Sequence, residues 1–277
     1  MSFRLLPLAV LVVATGASAQ LPNADAASSA PGDTPTRVSD FLASLPVHPG
    51  VDAEIARFED GRLDPDYRIA FARAARVRLG SEVETLTEEM LRSGCEAAVS
   101  VEFPGEDFSG LPDPSSVQED FEDSVVLTRA TACYQTDLTP DELLRLYASR
   151  EVRMAAQSRM EDVYEEDGLF CYDVGGVPIL LSPTRSCNDV TRMADATAAA
   201  EHSQSVRSEA ADHQPIYFKE SLKTALLLPD GTTGLVHVTV TRSTGLGGLE
   251  KRLGRGKIED SIRRQTEVLG ERLTSGG

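Results

Sequence analysis

Residues 215–273 constrain the fold more than any other part of this chain. Along residues 216–228 the apolar side chains fall mainly on even positions. Ile216, Phe218, Leu222, Leu226 and Leu228 share one face, while Lys219, Ser221 and Lys223 point the other way. Glu220 interrupts the apolar face and, if buried, needs a partner such as an arginine. Pro229-Asp230-Gly231 supplies turn chemistry, with Pro presetting φ and Gly accepting positive φ. A second strand over residues 235–242 carries Val236, Val238 and Val240 on one face. Beyond it, Ile258, Ile262, Leu269 and Leu273 recur at helical spacing beside Glu259, Arg263 and Arg264. A hairpin followed by a closing amphipathic helix predicts an α+β domain, a curved antiparallel sheet packed on a long C-terminal helix. On this reading Phe218, Glu220, Leu222, Leu226, Val236, Val238 and Val240 face Ile258, Ile262 and Leu269, and this set is the candidate ligand-binding surface.

The chain of 277 residues is long enough to bury a full core, and its formal charge of −17 argues against a nucleic-acid partner, which would need a basic face. At the N-terminus, Arg4, the short apolar run at residues 5–14 and Ala17-Ser18-Ala19 form the three parts of a signal peptide, with cleavage expected near Ala19. That run of about ten residues is half of what a membrane span needs, and no other segment qualifies as one. A periplasmic or secreted protein is expected. Its four cysteines, Cys95, Cys133, Cys171 and Cys187, lack C-x-x-C spacing, which argues against a zinc ribbon or thioredoxin-type site. Two structural disulfides are expected, and Cys171–Cys187 with Cys95–Cys133 is the preferred pairing because the first closes a short loop.

Residues 20–36, rich in Ala, Ser, Pro and Asp, read as a disordered linker. Residues 37–94 read as a helical N-terminal region. It has a short helix at 37–45, a second from Asp64-Pro65 that ends at Gly80, and a third restarting at Ser81 and closed by Gly94. A strand is expected over 95–103, and then an acidic loop whose Glu119-Asp120 and Glu122-Asp123 lack the alternation of a calcium loop. Residues 125–137 form a strand, and Thr139-Pro140-Asp141-Glu142 is a capping box that opens a helix. Strands follow at 161–165, 169–174, 177–181 and 189–194; residues 196–205 stay open between helix and loop.

No catalytic signature emerges. Gly245-Leu246-Gly247-Gly248 leads to Glu250 where a dinucleotide turn needs glycine, and Gly256-Lys257 lacks the Walker glycine at Lys251. His48, His202, His213 and His237 show no metal spacing, and there is no G-x-S-x-G elbow. His237, opposite the three valines, reads as a surface or sheet-edge residue, and Glu201-His202 as a solvated pair. No metal or cofactor is implied, and an enzyme is the less favoured reading.

Residues 126–134, leading into Thr139-Pro140-Asp141-Glu142-Leu143-Leu144, together with the Leu228-Pro229-Asp230-Gly231 hairpin and the closing helix, resemble the START-like or helix-grip superfamily of lipid-transfer and polyketide-cyclase-related domains. The resemblance covers about residues 120–275, within a unit of residues 95–277. It implies a cavity between sheet and C-terminal helix that holds a lipid or other hydrophobic small molecule. Two other readings stand beside it: a cell-envelope structural or interaction protein with a solid core, and a cyclase- or hydrolase-like enzyme in the same cavity. Where family members carry Arg-Asp at the start of a central strand, this chain has Asn188-Asp189.

Overall fold

The computed structural model describes residues 34–47, 65–103, 124–175, 184–210, 217–243 and 248–275. Two helices come first, α1 (Thr34–Ser44) and α2 (Pro65–Ser93), followed by strands β1 (Ala98–Glu102) and β2 (Ser124–Tyr134). Helices α3 (Pro140–Ala148) and α4 (Arg150–Ala156) lead into β3 (Met160–Glu166), β4 (Leu169–Val174), β5 (Thr184–Ala194) and β6 (Ala198–Ala210). The hairpin is β7 (Tyr217–Leu227) and β8 (Thr233–Ser243), and α5 (Gly248–Ser275) closes the chain. Among the described residues, eight strands join one curved antiparallel sheet in the order β1-β2-β8-β7-β6-β5-β4-β3. The α+β class, the closing helix and the helical N-terminal region are therefore as the sequence predicts. The proposed signal peptide, the acidic cluster at 119–123, the strand at 177–181, His48 and His213 lie outside the described residues. So does the proposed linker up to residue 33; its last three residues open α1.

Capping dictates α3. Thr139 Oγ1 accepts from the Glu142 backbone N–H at 3.3 Å, and the Thr139 N–H donates to Glu142 Oε2 at 2.8 Å. Ser149 ends α3 in extended conformation and caps α4, a second short helix that the sequence reading did not separate. Residues 196–205, left open between helix and loop, belong mainly to β6.

Gly80 does not end a helix. α2 runs straight through it, with Ala75 and Leu79 before it and Val83 and Met90 after it in one core; a Cβ at Gly80 would stand 3.5 Å from Leu42 Cδ1 of α1. That is ordinary van der Waals distance, so the packing does not require glycine; its helix-propensity penalty of about 1 kcal/mol is outweighed by the contacts α2 makes with the sheet on both sides of it.

The largest correction concerns the two faces of the sheet. α1 and α2 cover one face, called outer below; α3, α4 and α5 cover the other, the inner face. Leu222, Leu226, Val236, Val238 and Val240 point outward and form a core with Phe71, Ala75, Leu79, Val83 and Met90 of α2. Leu269 of α5 packs inside, with Tyr134, Leu143, Leu144, Ala225 and Leu235. The valines and α5 thus lie on opposite sides. The period-two pattern locates an apolar face without saying which helix covers it, and here α2 rather than α5 takes that place. Gly234 assists on the outer face, since a Cβ there would run into Met90 Sδ.

Three attachments seat α5. Tyr134 Oη donates to the Thr266 carbonyl at 2.9 Å, Gln265 Nε2 donates to the Tyr147 carbonyl at 3.0 Å, and Val268 packs on Val152 and Ala156. Ile258 and Ile262, nearer its start, are half-buried. Disulfides Cys95–Cys133 and Cys171–Cys187 form as preferred; the first ties the end of α2 to β2 and the second joins β4 to β5. No helix among the described residues is long and apolar enough to cross a membrane.

Candidate functional site

The inner face changes character along the strands. At the Asp230 turn it is a filled apolar core of Ala132, Leu143, Leu144, Ala199, Ala225, Leu235 and Leu269. Further along the same strands the buried residues become polar: Glu201, Ser203, Ser205, Ser221, Lys223, His237 and Thr239. Register aligns them. Glu201 pairs with Lys223, Ser203 with Ser221, Lys223 with His237 and Ser221 with Thr239, so all project from one side.

His237 is the centre of this patch. Its Nδ1 lies 3.0 Å from Tyr147 Oη, and its Nε2 lies 3.0 Å from Ser221 Oγ and 3.1 Å from Thr239 Oγ1. Thr239 Oγ1 also donates to Ser221 Oγ at 3.2 Å. The Tyr147 and His237 rings meet edge-on, at 83° with centroids 5.7 Å apart. Burial first, and then the fields of Lys223, Lys219 and Arg153, hold the imidazole pKa well below its ordinary value, so His237 is neutral. Burial likewise pushes the Tyr147 phenol well above its usual range.

A neutral imidazole brings one N–H to these three hydroxyls. If Tyr147 donates to Nδ1, then Nε2–H serves Ser221 or Thr239, Thr239 donates to Ser221, and the Ser221 proton is left over. If Nδ1–H donates to Tyr147 instead, the Tyr147 proton is left over. Either tautomer leaves the cluster one acceptor short among the described residues.

Beside His237 sits a buried charge cluster. Lys223 Nζ donates to Glu201 Oε1, and Arg192 Nε donates to Glu201 Oε2 at 2.7 Å. Burial opposes the Glu201 charge, but Lys223 and Arg192 outweigh it and bring the carboxyl down to about 2. Lys223 is lowered to about 8: burial dominates, Arg153 and Lys219 repel it, and one shared carboxylate compensates only in part. Arg153 stacks 4.5 Å over the Phe170 ring and donates to the Ala148 carbonyl at 3.0 Å.

Glu220 belongs to the other face. Its Oε2 lies 2.6 Å from His202 Nε2 and 3.4 Å from Arg76 Nε, and Arg76 also donates to Gln204 Oε1 at 3.2 Å. The expected arginine partner is therefore present, supplied by α2 through the sheet's outer face. His237 and Glu201-His202 are corrections in the opposite direction. All three are buried, because helices cover both faces, with His202 on the outer side and Glu201 and His237 inside. Their alternation in the sequence was legible; the absence of a solvent face was not.

Of the sequence-derived ligand set, only Ile258, Ile262 and Leu269 come from the helix over the inner face. Leu222, Leu226, Val236, Val238, Val240 and Glu220 are outside it, and the side chain of Phe218 lies beyond the described residues. Tyr147, Ser221, Lys223, Thr239 and Glu201, which the structure gathers around His237, carried no motif. Their signal was an even-odd alternation in which the odd face of β7 is polar and yet buried. On the outer side, an apolar crevice of about 520 Å³, including its open mouth, lies between α2 and the β5–β6 turn, lined by Val38, Val83, Met193, Ala200 and Leu226. A Glu166 carboxylate near Cys171 and Cys187 is no metal centre, since the two sulfurs are bonded to each other.

No family model matches this sequence, and no curated protein matches it. Solved structures do resemble it. A conserved protein from Geobacillus kaustophilus is 10% identical with a TM-score of 0.40, the match covering 52% of this chain and 95% of that one. The human StAR-related lipid transfer protein 5 is 17% identical with a TM-score of 0.39, over 72% of this chain and 98% of that one. A START superfamily protein from Mycobacterium smegmatis is 10% identical with a TM-score of 0.37, over 55% and 99%. The chain is thus weakly similar to START-like structures, and the chemistry of its site stands on its own residues.

Proposed function

We propose that this chain is a binding module for an amphipathic small molecule, a lipid or comparable hydrophobic compound with a polar end, held between the inner face of the sheet and α5. The observation that carries the reading is the His237 cluster. Burying Tyr147, Ser221, Thr239, Lys223 and Glu201 beneath helices costs free energy that an apolar core would not. The same inner face is a solid apolar core at its other end, so this sheet is able to build one. A polar patch with one donor proton in excess suits a ligand's polar end, while half-buried Ile258 and Ile262 offer its body an apolar flank. The two disulfides fit an oxidising compartment. With the proposed signal peptide they support export to the periplasm or beyond.

Native mass spectrometry of protein purified from its own host tests this. A bound small molecule is expected, and it should be lost from a folded Ile262→Trp variant, whose indole fills the flank. An unliganded wild-type protein, or a ligand retained unchanged by Ile262→Trp, overturns the reading.

A further inference from the structure

The charge of the inner face is opposite to that of the molecule. The whole chain carries −17, yet Lys219, Lys223, Arg153 and Arg192 act on this patch, and Glu201 is the one buried carboxylate there among the described residues. Glu201 is already committed, with Lys223 on one oxygen and Arg192 on the other. Arg153 has its aromatic ring and backbone carbonyl but no carboxylate among the described residues.

Lys219 is less engaged. It stands two positions before Ser221 on the inner side of β7, so its Cβ lies about 7 Å from that of Ser221. It is half-buried and makes no carboxylate ion pair among the described residues, though the Tyr172 phenol lies near enough to feel its charge. Lys219 and Lys223 therefore bracket Ser221 along one strand face, with Thr239 and His237 opposite on β8. An ammonium on one side and hydroxyl protons on the other form a converging set of donors, with Asn188 Oδ1 as an unpartnered acceptor further along the same face.

We infer that the polar end of the bound molecule is an anion, a carboxylate in the simplest case, received between Lys219 and the Ser221–His237–Thr239 cluster. This rests on the inner face being the binding site proposed above. Lys219 supplies a charge-assisted bond, and the surplus hydroxyl proton of the network supplies a second. Because Glu201 is neutralised in place, it does not repel the incoming charge. The acidity of the rest of the protein makes the patch selective: an anion that stays outside meets repulsion, and one that enters meets donors.

Calorimetric titration with decanoate, decanol and decylamine, which share one chain and differ in the head, separates the possibilities. Decanoate is expected to bind about tenfold or more tightly than the other two. Lys219→Gln should lower decanoate affinity about tenfold and leave decanol unchanged, and Lys219→Glu should turn the preference toward decylamine. Lys219 is half-buried in the sheet, and matching thermal melts of the variants show that they fold. Decanol or decylamine binding as tightly as decanoate, or a Lys219→Gln variant with an unchanged preference, overturns the anionic head alone. If none of the three probes binds, the inner-face reading falls and this inference with it.

Discussion

The two faces of this sheet are built from the same strands and solve opposite problems. Outside, valines and leucines meet α2, and the buried charge there, Glu220, is closed off by Arg76 and His202, while Thr224 Oγ1 is buried without a partner. Inside, the polar residues are many and their bonds are incomplete. Leu222 and Ser221 are neighbours in sequence and both are buried, yet one belongs to a filled core and the other to a network lacking an acceptor. Burial alone thus does not separate structure from function here. What separates them is grouping: outside, the unmet Thr224 hydroxyl stands among apolar neighbours, whereas inside the polar groups gather around His237.

If the outer face is purely structural, damage there should cost stability and leave binding alone. Arg76→Met should have the largest effect, a loss of about 3–5 kcal/mol, because Glu220 would stay buried with only His202. Adding Glu220→Gln should recover much of that loss. Denaturant melts of the two variants measure both steps, and a lone Arg76→Met that melts as wild type would break the distinction between the faces. Leu222→Ala comes next, at about 2–5 kcal/mol, from the lost contact with the α2 core. The urea midpoint should fall while ligand affinity per folded molecule stays unchanged.

The inner face should show itself through pH. Glu201 has a folded pKa of about 2 against an ordinary 4.5. A depressed carboxylate contributes stability that is fully present above pH 4.5 and is lost as pH falls toward 2, here on the order of 3 kcal/mol. Lys223 acts in the other direction. Its folded pKa of about 8 lies below the ordinary 10.5, so the unfolded chain holds its proton longer and stability rises from pH 8 toward 10.5. Urea midpoints followed across pH should show both limbs, and Glu201→Gln should flatten the acid one. An acid limb that survives Glu201→Gln would place its origin in other carboxylates.

Much of the architecture was legible in the sequence because it rests on local signals: the capping box at Thr139, the turn at Asp230-Gly231, the period-two strands β7 and β8, and the cysteine pairs. What was not legible depends on partners distant in sequence. Gly80 looks like a helix stop until Leu79 and Val83, on either side of it, are placed in one core with the sheet. Val236, Val238 and Val240 announce an apolar face, but α2 and α5 are equally amphipathic claimants, and only the fold assigns them. His237 shows the same limit. Alternation put it opposite the valines, and the inference that this side met solvent required a sheet covered on one face.

The smallest predicted effect is the sharpest test of the comparison. Ser221→Ala removes one hydroxyl from the inner network. His237 Nε2 keeps Thr239 at 3.1 Å and Nδ1 keeps Tyr147 at 3.0 Å, so no ring nitrogen loses its last partner. The stability cost should be about 1 kcal/mol or less, well under that of Leu222→Ala one position away. Ligand affinity should fall all the same, because in the tautomer where Tyr147 donates to His237 it is Ser221 that holds the spare proton. Thermal melts and decanoate titrations on the same preparations measure the two quantities together. A variant that loses stability as Leu222→Ala does, with binding intact, would show that Ser221 is core like its neighbour and that the two faces differ in composition but not in role.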